Sequence, residues 1–365
     1  MNTFKYIALV TVVLAFLVGA PLLTIPSSAD NGPNHQIRNQ HFGVSGGNIN
    51  DISRLYCCSG TLGSLVQDTS GVKYILSNNH VLGLADHAVP GDDISQPGLI
   101  DNSCRVATIV ADFTVAPALS TGVDAAIAQL RTGTMDATGF IEDIGVPSSV
   151  VRNAAVGLGV AKSGRTTGFQ TGSISSINSS VSIKYPTECG GRKGPSYTFT
   201  NQVVINSTTF SAGGDSGSLI VTNDSCHQPV ALLFAGSSTS TIGNPIGTVL
   251  NRVSTALGRT VSFVGTTCGT ATGASVGSPT ALSGGQMQLP EAAAARASAA
   301  LDARRNDLMS RPSVIGVGVG QSESNPGEAV IVVYVDRTTG VRPTLPNTVN
   351  GILVKLVETD PFVAY

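Results

Sequence analysis

The run Gly213-Gly214-Asp215-Ser216-Gly217-Ser218 sets one hydroxyl in a turn of small residues, directly before the apolar Leu219-Ile220-Val221. Glycine permits positive φ and close approach of another backbone. Such a turn can aim its own N–H groups at one point, as the stabilisation of an oxyanion requires. Ser216 is therefore read as a nucleophile. A serine hydroxyl is a weak nucleophile at neutral pH; it needs a base, and the base needs a third group that fixes its tautomer. The chain has five histidines from which to choose the base. His35 and His41 lie in a polar stretch and read as solvated. His87 sits in the loop-like Asp86-His87-Ala88-Val89-Pro90, and His227 follows Cys226 in a polar turn close to Ser216. His80 alone closes a strongly apolar strand, in Ser77-Asn78-Asn79-His80-Val81. Asp124 lies among apolar neighbours in Val123-Asp124-Ala125-Ala126-Ile127-Ala128, where an unpaired carboxylate is costly to bury. An imidazole partner explains it better than an exposed strand edge.

The elements that must position these groups read as β-structure. Ser59 to Val66, a polar turn at 67–71, and Val72 to Ser77 give a hairpin signal that ends next to His80. Further strand-like runs are Arg105 to Val110, Phe113 to Val115 and Val123 to Leu130. After a connector from Pro147 to Arg152, a second β-rich block runs from Val156 to Val264, with a short helix at Thr248 to Leu257. Forty-two glycines, no tryptophan and 12% charged residues fit an all-β chain with many turns. Two blocks of about a hundred residues each suit two packed β-barrels or sandwiches.

The order His80, Asp124, Ser216 discriminates between known scaffolds. An α/β-hydrolase places serine before acid and histidine and has glycine two residues after the nucleophile, where this chain has Ser218. A subtilisin order needs an acid well before the histidine, and long helices that this region lacks. The remaining order is the one carried by two β-barrels. Ser77 to Val81, Val123 to Ala128 and Gly214-Asp215-Ser216-Gly217 resemble the histidine, aspartate and serine motifs of the chymotrypsin-like (trypsin-fold) serine proteases. The stretch from Lys162 to Gln170 is similar to one that opens the second barrel in the bacterial secreted branch of α-lytic protease and streptogrisins. The whole arrangement also resembles the trypsin-like peptidases related to the plant narrow-leaf protein. The resemblance covers roughly residues 45–265.

The resemblance implies a mainly β fold of two six-stranded antiparallel barrels, at 30–146 and 147–265, with a polar arm at the start of the first. It implies a serine endopeptidase acting through an acyl-enzyme, with Ser216 as nucleophile, His80 as base and Asp124 as its orienting acid. Gly214 and Ser216 would supply the oxyanion donors. Asp215 would stabilise the loop through an ion pair with Arg165, for which a surface arginine on a strand edge is the alternative. Phe210, six residues before the nucleophile, would form the base of the primary pocket; it offers no carboxylate for Lys or Arg, so an apolar or small side chain is expected there. Gly236 would lie on the strand that pairs with substrate backbone. The cysteines of the bacterial branch are replaced by Ala161 and Thr171, so that disulfide is missing. The competing readings are a catalytically silent binding protein on the same fold and an esterase using the same three residues.

Outside the two blocks, residues 1–29 read as a secretory signal: Lys5, an apolar stretch from Tyr6 to Ala20, then Ser27-Ser28-Ala29 as small residues for cleavage. An uncleaved anchor is the alternative. The expected location is secreted, extracellular or periplasmic, with disulfides among the six cysteines. Cys57 and Cys58 are adjacent and each is expected to bond elsewhere. Residues 266–289 read as a linker. Residues 290–365 read as a small α+β domain, with a helix from Glu291 to Met309 and strands at Val314 to Val319, Ala329 to Asp336 and Ile352 to Glu358. The net charge of −2 without a basic run makes nucleic acid and acidic membranes poor partners; the expected partner is a protein or peptide substrate. The chemistry needs no cofactor and no metal. Asp92, Asp93 and Asp101 are better explained as a solvated acidic loop than as a calcium site.

Overall fold

Two runs of the chain, one kinked at Gly63 and the other at Ile174 and Ser175, roll the strands into closed sheets. In the first, Gly60–Leu62 pairs antiparallel with Val44–Asn48; after Gly63 the same run continues as Ser64–Asp68 and pairs with Lys73–Ser77. The sheet then passes through Ala126–Leu130, Thr108–Val115 and Asp93–Gln96 back to Val44–Asn48, which closes a barrel of mixed long and short antiparallel strands. Gly63 is required at the kink because a side chain there would collide with the carbonyl of Gly217. The second barrel repeats the device. Gln170–Ser173 pairs with Gly159–Lys162, and after Ile174 and Ser175 the run continues as Ser176–Lys184, paired with Ser196–Asn206. Ser240–Pro245, Pro229–Gly236 and Leu219–Thr222 complete the circuit back to Gly159–Lys162. Closure removes sheet edges and buries the apolar face of each strand inside. The computed structural model describes residues 33–191, 194–268 and 287–365. The expected signal at 1–29 and most of the linker at 266–289 lie outside the described residues.

The β-rich reading holds, and the helix expected at 248–257 runs from Ile246 to Leu257. The stretch at 290–365 has the expected elements, helices Glu291–Asp302 and Arg305–Met309 and strands Val314–Gln321, Ala329–Asp336 and Ile352–Thr359. Its arrangement differs from a free-standing domain. Val314–Gln321 pairs antiparallel with Ser176–Lys184, so these strands continue the sheet of the second barrel. The cause is the kink at Ile174: beyond it, the outer edge of Ser176–Lys184 is no longer covered by Gly159–Lys162 and takes a new partner. One face of the added sheet packs under the two helices through Val317, Val319, Ile331 and Val333, with Leu301 and Leu308. The other face joins the second barrel, where Val330, Val332, Tyr334 and Phe362 share a core with Val181, Ile183 and Phe234.

Three disulfides are present: Cys57–Cys104, Cys58–Cys189 and Cys226–Cys268. The adjacent cysteines bond to different partners, as expected, and Cys58–Cys189 ties the first barrel to the second. The polar arm is more ordered than the sequence suggested. His35 is buried, with Nδ1 2.9 Å from Gly43 O and Nε2 3.0 Å from Asp143, and His41 Nδ1 lies 2.6 Å from Glu142. Both were read as solvated; each instead finds a carboxylate in the loop at 139–145. Among the described residues no helix is long and apolar enough to cross a membrane.

Candidate active site

His80 and Asp124 meet because their strands are neighbours. Ser77 pairs with Ala126 across the sheet; His80 follows Ser77 on the helical turn Asn79–Leu82, and Asp124 precedes Ala126. Asn78 donates through Nδ2 to the Asp124 carbonyl at 2.7 Å, fixing the two chain ends together. The Asp124 side chain is fully buried. Its Oδ2 accepts from His80 Nδ1 at 2.6 Å and its Oδ1 from the His80 backbone N–H at 3.2 Å. The ring is therefore held with Nδ1–H toward the carboxylate and Nε2 toward the cleft. Burial pulls the His80 pKa down, but the charge and hydrogen bond of Asp124, the Tyr365 carbonyl and the charge of Asp51 outweigh it, and the net shift is upward.

Two groups about Asp124 were not anticipated. Tyr185, at the end of Ser176–Lys184, is buried and donates its hydroxyl to Asp124 Oδ2 at 2.7 Å. Burial, reinforced by the Asp124 charge, raises its pKa well above the ordinary value, so it remains a donor. Asn244 accepts from the Asp124 N–H at 2.9 Å and donates to Gln202 at 2.6 Å. Tyr185 ends an alternating run, which marks it as a strand residue; nothing local tells that its hydroxyl reaches Asp124.

The Ser216 turn lies against the first barrel. Thr61 N–H donates to Ser216 O at 2.8 Å, and Thr61 Oγ1 to Gly214 O at 2.9 Å. Gly214 and Gly217 both have positive φ, at 96° and 95°. A side chain on Gly217 would collide with Ser77 Oγ and Thr61 O. The glycines are thus needed for conformation and for close approach of the barrels. The N–H groups of Gly214 and Ser216 have no acceptor among the described residues. Ser216 Oγ donates to Phe234 O at 3.2 Å, and His80 Nε2 lies 2.9 Å from the carbonyl oxygen of Tyr365.

The partner expected for Asp215 is corrected. Arg165 turns away, donating through Nε at 2.8 Å to Asp101 of the first barrel and through Nη2 to the same carboxylate. Asp215 instead pairs with Lys162 Nζ at 3.2 Å, and both side chains are fully buried. Asp215 also accepts from the N–H groups of Thr166 at 2.8 Å, Thr167 at 3.1 Å and Ala212 at 2.9 Å, so it remains the centre of the loop. Burial lowers the Lys162 pKa, with the Asp215 charge opposing. The reason for the exchange is position. Lys162 ends a strand and points inward, whereas Arg165 stands on the turn beyond it, at the seam between the barrels.

Phe210 is fully buried in a cluster with Val160, Ile205, Ile220 and Leu233. Gly236 pairs in antiparallel register with Val363. A cleft of about 450 Å³ passes the site, lined by His80, Gly214, Asp51, Tyr185, the Cys58–Cys189 disulfide and Tyr365. Burial pushes Asp51 up to about 6, with the charge of His80 pulling the other way. Among the described residues the one cluster with metal-ligand types is Asp51, Cys58 and Cys189, and its two sulfurs are joined to each other. Asp92, Asp93 and Asp101 are bound to Asn48, Arg131 and Arg165 respectively.

No protein-family model and no curated protein matches the chain. Several solved structures are similar to it. One is a glutamic acid specific serine protease, 21% identical, covering 61% of this chain and 98% of its own, with a TM-score of 0.42. Thermobifida fusca Protease A is 20% identical over 56% of this chain and 91% of its own, with a TM-score of 0.39. Cellulomonas bogoriensis chymotrypsin is 17% identical over 62% of this chain and 99% of its own, with a TM-score of 0.41.

Proposed function

We propose that the chain is a secreted serine endopeptidase that cuts peptide bonds through an acyl-enzyme. The observation that carries this reading is the hold on His80: its Nδ1 lies 2.6 Å from a fully buried Asp124, which leaves Nε2 facing the cleft beside the Ser216 turn. The Ser216 Oγ attacks the carbonyl carbon of the substrate, forming a C–O bond while its proton passes to His80 Nε2. Asp124 stabilises the imidazolium so formed and does not itself take the proton. The oxyanion is received by the unengaged N–H groups of Gly214 and Ser216, a contribution of about 3–4 kcal/mol for a typical donor. The imidazolium then gives its proton to the leaving amine nitrogen as the C–N bond breaks, and water repeats the sequence on the acyl-enzyme. Lys162 and Asp215 hold the turn that carries the donors; Phe210 lies behind the primary pocket and Gly236 pairs with substrate backbone. Three disulfides suit an oxidising compartment.

A fluorophosphonate tests the reading because it esterifies an activated serine. Labelling is expected in the unaltered chain and absent in Ser216→Ala, and Asp124→Asn should slow peptide cleavage on the order of 10⁴-fold. An unlabelled chain would favour a silent binding protein; ester cleavage without casein cleavage would favour an esterase.

A further inference from the structure

Residues Phe362–Tyr365 lie along the site in the path a substrate would take. Strand Leu219–Thr222 leaves its neighbour Pro229–Gly236 after pairing Leu219 with Leu232, which bares the edge at Ala235 and Gly236. Strand Phe362–Ala364 fills that edge antiparallel, with Ala235 opposite Ala364 and Gly236 opposite Val363. Tyr365 N–H donates to Phe234 O at 3.4 Å, the carbonyl that also accepts from Ser216 Oγ. The Tyr365 carbonyl oxygen is 2.9 Å from His80 Nε2. Its ring packs against the cluster containing Phe210 and Leu233, and its hydroxyl donates to Ser237 O at 3.0 Å. A side chain on Gly236 would run into that ring and hydroxyl, so the glycine keeps the slot open for an aromatic group.

The segment is anchored upstream. Phe362 is buried against Tyr334, ring centroids 5.8 Å apart, and also pairs in parallel register with Ile183. Thr359 meets Ser237 Oγ at 2.6 Å, and Asp360 is bound by Arg337 Nε at 2.7 Å. Three backbone registers, a filled side-chain slot and a carbonyl at the imidazole thus coincide in one four-residue segment.

We propose that Phe362–Tyr365 is a resident occupant of the acyl-side subsites, in substrate register, and that its side chains state the preference of the site: tyrosine at the cleaved carbonyl, a small alanine before it, and valine before that. This rests on the peptidase reading and deepens it. An occupant on the same chain acts at an effective concentration of about millimolar, so it competes with weak substrates and yields to strong ones. While it is seated, Tyr365 O engages Nε2 and Ser216 Oγ stays on Phe234 O. Tyrosine is favoured over phenylalanine because Ser237 O would otherwise lose its donor. Glutamate is rejected because the Asp215 charge bears on the slot, and lysine because that carboxylate is already paired with the buried Lys162, so a desolvated charge there finds no free partner among the described residues.

The test separates binding from catalysis. Chains carrying Ser216→Ala, one full length and one ending at Phe362, are titrated with fluorescein-labelled Val-Ala-Tyr, the three residues that the shortened chain lacks. Binding to the shortened chain is expected at least about tenfold tighter than to the full chain, with the Tyr→Lys and Tyr→Glu peptides at least about tenfold weaker. In Ser216-containing chains, shortening and the fold-preserving Tyr365→Ala should each speed fluorophosphonate labelling several-fold. Equal binding to both chains, or no preference for tyrosine, overturns the proposal. Binding as expected with no labelling in either chain sustains the occupancy and overturns the peptidase reading instead.

Discussion

At the scale of single residues, the site turns on how many donors Asp124 receives. Its carboxylate accepts from His80 Nδ1, the His80 N–H and the Tyr185 hydroxyl, all away from water. A hydrogen bond to a charged group is worth about 1.5–3 kcal/mol. In Tyr185→Phe the carboxylate loses one donor, and its charge, no longer shared with the hydroxyl, holds the imidazolium more tightly. The His80 pKa, already raised, moves further up, so the rising limb of kcat/KM against pH shifts to higher pH. Activity near neutral pH should fall about tenfold and recover partly at alkaline pH, because the base must be neutral to act. The same substitution bears on stability with a definite sign. The folded pKa of His80 lies above its ordinary 6.5. Its contribution is therefore full below 6.5 and is lost as pH rises through the folded pKa, and Tyr185→Phe extends that window upward. A pH–rate profile with a proton NMR titration of His80 checks both; an unmoved profile would reduce Tyr185 to packing. The meeting of His80 and Asp124 was legible because each sits in a short run whose neighbours betray it, an apolar strand end and a lone buried carboxylate, and the bend at Ser216 was legible from its glycines. Tyr185 and Tyr365 were not, because each acts through an atom brought from 61 and 285 positions away.

At the scale of elements, the strand end at Lys162 decides how the Ser216 turn is held. Lys162 and Asp215 form a fully buried pair, with Gly168 O also 3.0 Å from Nζ. Removing one partner of such a pair leaves an uncompensated charge and costs about 3–5 kcal/mol. Arg165 and Asp101 form a second pair nearer solvent, which joins the turn to the first barrel. Lys162→Met should therefore lower the free energy of unfolding by about 3–5 kcal/mol and slow labelling of Ser216, while Arg165→Met should cost about 1–3 kcal/mol. Urea unfolding of the two variants ranks them. The opposite ranking would return Arg165 to the role first expected of it. The resemblance named Arg165 alone as the partner of Asp215 and passed over Lys162 three positions earlier, since three residues decide whether a side chain points into a barrel or across its seam. The kinks at Gly63 and Ile174 were equally hidden: each strand was readable, but closure depends on one run changing partners halfway.

At the scale of the whole molecule, the question is what the sheet added at 314–359 does for the barrels. Its elements were readable from their apolar periodicity, and its attachment was not, because pairing with Ser176–Lys184 links residues more than 130 positions apart. Val330, Val332, Tyr334 and Phe362 cover Val181, Ile183 and Phe234, and the buried Tyr334 hydroxyl lies 2.8 Å from Ser176 Oγ. A chain ending at residue 268 would expose the apolar sides of this core and bare the outer edge of Ser176–Lys184. Burying a large apolar side chain contributes about 1.5–3 kcal/mol, so losing four should remove a large part of a typical domain stability of about 5–15 kcal/mol. The bared edge is also a template for pairing between chains. The shortened chain is expected to unfold at markedly lower urea and to associate on concentration, whereas a chain ending at Phe362 should keep most of its stability. Equilibrium unfolding with light scattering on both chains checks this. Full stability and monodispersity in the chain ending at 268 would mean that the added sheet is a separable module, and that the anchoring of Phe362–Tyr365 beside His80, rather than the support of the second barrel, is what it supplies.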